Sequence, residues 1–221
     1  MKTHLQNGSG SGGSERLKGA ISSPNVTFAL YFGNRGFFPE KLISGARQEL
    51  SERLAQLGYG TLLMDPGLTR YGAVEGADDG MKYAQFLKEH RGRYDGVLLC
   101  LPNFGDETGA IAALQDCGVP IFIQAYPDEL DRMGFSDRRD AFCGKFSVMD
   151  VFCQYGLPFT TFPPHTVAPA SETFETQIRQ FAAVCRVVNG MRRMTVGAIG
   201  ARTTAFKTVR FDELTLQRYG I

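Results

Sequence analysis

The chain of 221 residues is 43% hydrophobic and 21% charged, and its 24 Lys and Arg against 23 Asp and Glu leave a net charge of +1. Such a length buries the core of one large or two small domains, and so even a charge balance speaks against nucleic acid as the main partner. No apolar run reaches the ~20 residues of a bilayer crossing, no secretory signal is visible, and five cysteines without a CxxC pair point to reduced thiols, a cytoplasmic home and no structural zinc.

Residues 1–23 form a tail whose segment 7–14 (NGSGSGGS) is a flexible linker by composition. Residues 26–32 (VTFALYF) are a nearly continuous apolar run, as expected of a strand covered on both faces. Pro39 and Glu40 open a helix in which Leu42, Ala46, Leu50, Leu54 and Leu57 make one stripe, ended by Gly58 and Gly60. Residues 61–64 read as a second strand, and a helix after Asp79 turns Tyr83, Phe86 and Leu87 inward. Residues 96–101 (GVLLCL) are the third strand. Asp106 caps a helix carrying Ile111 and Leu114 and stopping at Gly118, and residues 120–124 (PIFIQ) are the fourth strand. A helix through Phe142, Phe146, Met149 and Cys153 leads to a fifth strand at 159–162 (FTTF). Ser171 starts a long helix with Phe174, Ile178, Phe181, Cys185 and Val188 on one face. Residues 194–199 (MTVGAI) read as a sixth strand, and 212–219 as a last helix.

Short strands alternating with helices predict βαβ units with right-handed crossovers. The expected fold is α/β: a doubly wound parallel sheet of five strands in a flavodoxin/Rossmann-like order, in a three-layer sandwich. Residues 24–170 then make the flavodoxin-like domain. Residues 171–221 make a linking helix and the first βα unit of an incomplete second domain, since a complete one takes roughly 100 residues.

Ligands of such sheets bind outside the carboxyl ends of the strands. Arg35 follows strand one, Asn103 strand three, Gln124 ends strand four, and His165 follows strand five, so mixed donors and acceptors gather on one rim. Turn chemistry alone also places Gly and Asn there. Arg35 either reaches a polyol or pairs with Glu40 or Asp106 to fix its loop. In residues 138–147 (RRDAFCGKFS), Asp140 and its basic neighbours either receive a hydroxyl or anion at a helix start or form an Arg–Asp ion pair that fixes it. Cys143 is either a nucleophile beside cations or a packed small residue. Gly33-x-x-Gly36 lacks the third glycine of a dinucleotide fingerprint and no Walker sequence occurs. His4, His90 and His165 have no paired spacing, so no metal site within this chain is expected.

Gly33-Asn34-Arg35-Gly36-Phe37-Phe38-Pro39, Gln124-Ala125-Tyr126-Pro127-Asp128 and Arg139-Asp140-Ala141-Phe142-Cys143-Gly144-Lys145 resemble, in order, the N-terminal region of the L-fucose/L-arabinose isomerase-like proteins. Residues 181–190 (FAAVCRVVNG) and 197–202 (GAIGAR) do so too. Thr203 and Lys207 depart from the family pattern, which has Pro and Asn there, and change what holds the loop after strand six. The resemblance implies metal-dependent aldose–ketose isomerisation through an enediol, with Mn2+ and two carboxylates for proton transfer. In the family those ligands lie in later domains, so no catalytic or metal residue is expected in this chain. It further implies that the first domain contributes to a neighbouring subunit's sugar pocket in a homo-oligomer. Arg35, Asn103, Gln124, Asp140 and His165 would then be contacts to an aldose or ketose. The other class of function is a stand-alone, non-catalytic flavodoxin-like module that binds a sugar or sugar phosphate.

Overall fold

Four of the apolar runs are strands in the computed structural model, which describes residues 26–197, 199 and 212–221: β1 (Thr27–Phe32), β2 (Gly60–Leu63), β3 (Gly96–Leu101) and β4 (Ile121–Ala125). They form one parallel sheet in the order β2-β1-β3-β4, in which Leu30 pairs with Leu63 on one side and with Leu98 on the other. The helices are α1 (Lys41–Gln56), α2 (Ala77–Glu89), α3 (Glu107–Leu114), α4 (Ala141–Gln154), α5 (Glu172–Arg192) and α6 (Glu213–Arg218). This is the doubly wound α/β sandwich that the alternation predicts.

Because successive strand residues point to opposite faces, the sheet divides the apolar residues into two cores. Tyr31, Val97, Leu99, Ile121 and Ile123 pack under α2, α3 and α4. Phe28, Leu30, Leu98 and Phe122 pack under α1 and α5, with Phe122 and Phe28 both against Phe181. Leu98, Leu99, Ile121 and Ile123 are at most 1% exposed, as continuous apolar strands in a covered sheet require. Asp106 caps α3 by accepting from the Gly109 amide, and Ser171 caps α5 by accepting from that of Phe174. Cys100, Cys117 and Cys185 are buried and Cys143 and Cys153 exposed, all as free thiols. Among the described residues no helix is long and apolar enough to cross a membrane.

Four expectations change. The fifth strand is a single parallel bridge between Phe122 and Thr160, because Pro158 and Pro163 confine the segment and remove donors on either side. Residues 194–197 of the expected sixth strand are irregular and pair with no described strand; residues 198 and 200 lie outside the described set, as do the tail 1–23, Thr203 and Lys207. In α4 the inward stripe is Ala141, Gly144, Lys145, Val148 and Phe152, while Phe142 and Phe146 stand outward at 45% and 46% exposure. Both faces of α4 carry aromatics, so spacing alone did not decide between them. The close seat does: a Cβ on Gly144 would lie 1.8 Å from the Phe104 carbonyl oxygen, so only a glycine fits there. In α1 the same choice favours Ile43, fully buried, over its neighbour Leu42.

Candidate functional site at the carboxyl rim of the sheet

The connections leaving β1 and β3 run to opposite faces of the sheet, toward α1 and α3, so the loops after these two strands diverge and open a crevice. Its floor is made of amides. Asn103 Nδ2 donates to Asn34 Oδ1 at 2.5 Å, and Asn103 Oδ1 accepts from the Gly105 amide at 3.1 Å. Asn34 in turn donates to Glu75. Both asparagines are fully buried, so this chain ties the loops after β1 and β3 together beneath the surface. Arg35 lies above them, half-buried. Its Nε donates to the Gly105 carbonyl at 3.0 Å, its guanidinium pairs with Glu107, and it stacks 4.3 Å from the centre of the Phe104 ring. The ion pair exists, but with Glu107 in place of Glu40 or Asp106. Partial burial works to raise the Glu107 carboxyl; hydrogen bonds from Ser147 and its own amide, and the Arg35 charge, outweigh it and hold the group below the usual carboxylate range.

Around the end of β4 the backbone is held from within. Asp128 accepts from the amides of Arg139 at 3.1 Å and Asp140 at 3.0 Å, fixing the start of α4. Arg139 donates to the Pro102 carbonyl at 3.0 Å and lies over the Tyr126 ring. Asp140 adopts a left-handed conformation (φ 48°) and pairs with Arg138 at 3.2 Å, the ion pair that the sequence left open. Gln124 is fully buried. Its Nε2 donates to the Val167 carbonyl at 2.8 Å, while its Oε1 has no partner.

The segment 163–167 crosses this end of the sheet. Lys145 Nζ donates to the His165 carbonyl at 2.9 Å, and Gln177 Nε2 to the carbonyls of Pro163 and Pro164 at 3.3 and 3.2 Å. Burial pulls the Lys145 ammonium down to about 8. The His165 imidazole sits half-buried, with Nδ1 3.4 Å from Thr161 Oγ1 and its ring 5.5 Å from that of Phe146.

The five residues chosen from the sequence therefore share one rim but two depths. Arg35, Asp140 and His165 reach its surface; Asn103 and Gln124 lie beneath it. Sequence reasoning missed Asn34, Glu107, Lys145, Ser147 and Gln177. A readable signal existed for two of them: Lys145 and Gln177 are polar residues at inward positions of apolar stripes, between Ala141 and Val148 and between Phe174 and Phe181.

A divalent ion of the kind that the resemblance implies needs several carboxylate or imidazole donors in one place. Among the described residues no three His, Cys, Asp or Glu side chains gather to hold a metal ion. The carboxylates of the rim are also occupied, Glu75 by Asn34, Glu107 by Arg35 and Ser147, and Asp128 by backbone amides. These residues do not fit the ion. A cleft of about 250 Å3 between α2 and α3, lined by Leu87, Tyr94 and Cys117 among others, lies at the opposite end of the strands. A family model described as the N-terminal domain of fucose/sulfoquinovose isomerase matches residues 29–192. No curated protein matches the chain.

Proposed function

The chain belongs to the fucose/sulfoquinovose isomerase N-terminal domain family, and from that premise we propose that its carboxyl rim binds the hydroxyl groups of an aldose or ketose. In this reading the chain is the sugar-binding and oligomer-forming part of a cytoplasmic, manganese-dependent aldose–ketose isomerase. The ion and the acid–base pair of that reaction belong to residues outside the described rim.

The observation that supports the reading best is that Arg35, Asp140 and His165 are all half-exposed on one rim, with the His165 ring 5.5 Å from the outward ring of Phe146 and Phe142 packed against the latter. A guanidinium donates to sugar oxygens, a carboxylate accepts from sugar hydroxyls, and an imidazole does either. An aromatic face covers the C–H side of a sugar ring. Glu107 and Phe104 hold the Arg35 guanidinium in one orientation, so less rotamer freedom is lost when a ligand arrives. Asn103 and Gln124 serve the same surface from below by holding the loops that carry these groups.

Titration of the full chain with L-fucose, followed by calorimetry or by NMR, tests the proposal. Saturable binding is expected, weakened at least fivefold by His165→Ala with the thermal midpoint unchanged. Equal affinity in the two proteins, or no saturable binding, removes the sugar site. The lack of a metal-donor set among the described residues also suits the second reading, a non-catalytic module for a sugar or sugar phosphate. In that case no ketose forms when a protein carrying the remaining domains is supplied with the chain and manganese.

A further inference from the structure

Four carbonyls of the rim segment, those of Pro163, Pro164, His165 and Val167, accept hydrogen bonds from three side chains that come up from below. Gln177 of α5 takes the first two, Lys145 of α4 the third and Gln124 of β4 the fourth. Lys145, Gln124 and Gln177 are 1%, 0% and 3% exposed, so water does not compete for these donors. Three separate elements thus spend buried polar groups on five residues of loop. That is costly unless the loop conformation itself is what is being secured, because each buried polar group must first lose its water. Lys145 makes the point most sharply. It carries a charge into an apolar stripe among Ala141, Val148 and Phe152, makes no ion pair among the described residues, and ends on the carbonyl of the one histidine of this rim. A methionine of the same length would fill that space without the charge.

We propose that Lys145, Gln124 and Gln177 are positioning residues for His165: they lock the 163–167 segment so that the imidazole is presented to ligand at a fixed place beside Phe146. The value of the lock rests on the sugar-binding reading of the rim, but its physical existence does not. Gln124 in this account acts through the loop, its amide engaged with Val167, and touches no sugar. Among the described residues the His165 imidazole has one side-chain hydrogen bond, a long one of 3.4 Å to Thr161, so its orientation depends on the backbone that carries it and on the neighbouring Phe146 ring.

The test uses the full chain with Lys145→Met and, separately, Gln177→Met, so that a folding failure of one leaves the other. Three quantities are read: the thermal midpoint, amide hydrogen exchange over residues 165–168, and the His165 Hε1 resonance. The midpoint is expected to stay within a few degrees, while exchange of that segment quickens at least tenfold and the resonance moves or broadens. L-fucose affinity should fall at least threefold in parallel. If exchange and resonance match the parent in whichever variant folds, or if amides change throughout the molecule instead, the positioning role is overturned. If the loop and the resonance respond but the parent chain itself shows no saturable L-fucose binding, the lock stands and the sugar reading fails.

Discussion

At Lys145 a single methylene chain links burial, charge and pH. Its folded-state pKa lies near 8, below the usual value of 10.5, because burial disfavours the ammonium. Below about pH 8 both folded and unfolded chains hold the proton, and stability does not change with pH through this group. Above it the unfolded chain still holds a proton that the folded chain has released, so stability rises with pH toward 10.5. Tyr31, Tyr83 and Tyr126 work the other way at higher pH, since burial raises all three phenols above 10.0 and their contribution is lost beyond that value. The buried thiols of Cys100, Cys117 and Cys185, raised above 9.0, oppose the Lys145 gain within the same range, so Lys145 is read from the difference between parent and Lys145→Met. In denaturant melts between about pH 8 and pH 9.5 that difference should move by roughly 1–2 kcal/mol in favour of the parent, and a difference that stays constant would assign the titration to another group. Nothing local in the sequence separates Lys145 from an exposed lysine except its place on an apolar stripe. Arg35 teaches the converse. Its position after a strand was legible, but its carboxylate, Glu107, lies 72 residues away and is brought near only when β1 and β3 pair.

Elements were legible where a single physical signal dominated. The runs 26–32 and 96–101 are apolar without interruption, and only central strands of a covered sheet require that. Leu99→Ala should accordingly cost about 2–5 kcal/mol in a urea melt, from lost transfer energy and the cavity left between β3 and the helices above it. A loss within error would mean that this layer is not packed as described. Where two signals competed, the pattern failed. In α4, Phe142 and Phe146 drew the stripe toward the wrong face, and the deciding residue was the smallest one, Gly144, which lets the helix approach Phe104. The segment 159–162 has strand composition, but its flanking prolines cut the ladder to one bridge. Composition reports what a residue prefers; the neighbours decide whether there is a ladder to join.

For the molecule as a whole, the carboxyl rim was found from topology before any contact was known, since strand order alone locates the crevice of an α/β sheet. What topology left open was depth: which polar groups reach solvent and which hold the floor. The distribution of sulfur adds something of a different kind. Cys143 and Cys153 both stand outward on α4, while Cys100 lies inside β3, Cys117 follows α3, and Cys185 sits where α5 meets the bare backbone of Gly96. Burial raises all three interior thiols, so they are neutral as well as shielded. The chain is thereby its own reporter. A thiol-reactive dye should label two groups within seconds to minutes and three only as fast as the structure opens. Because Cys100 and Cys185 belong to the core beneath α1 and α5 while Cys117 lies on the other face, mass-resolved labelling of each tells whether the two faces of the sheet come apart together or in turn. Equal slow rates at Cys100, Cys117 and Cys185 would make the sandwich one cooperative unit, and unequal rates would name the layer that lets go first.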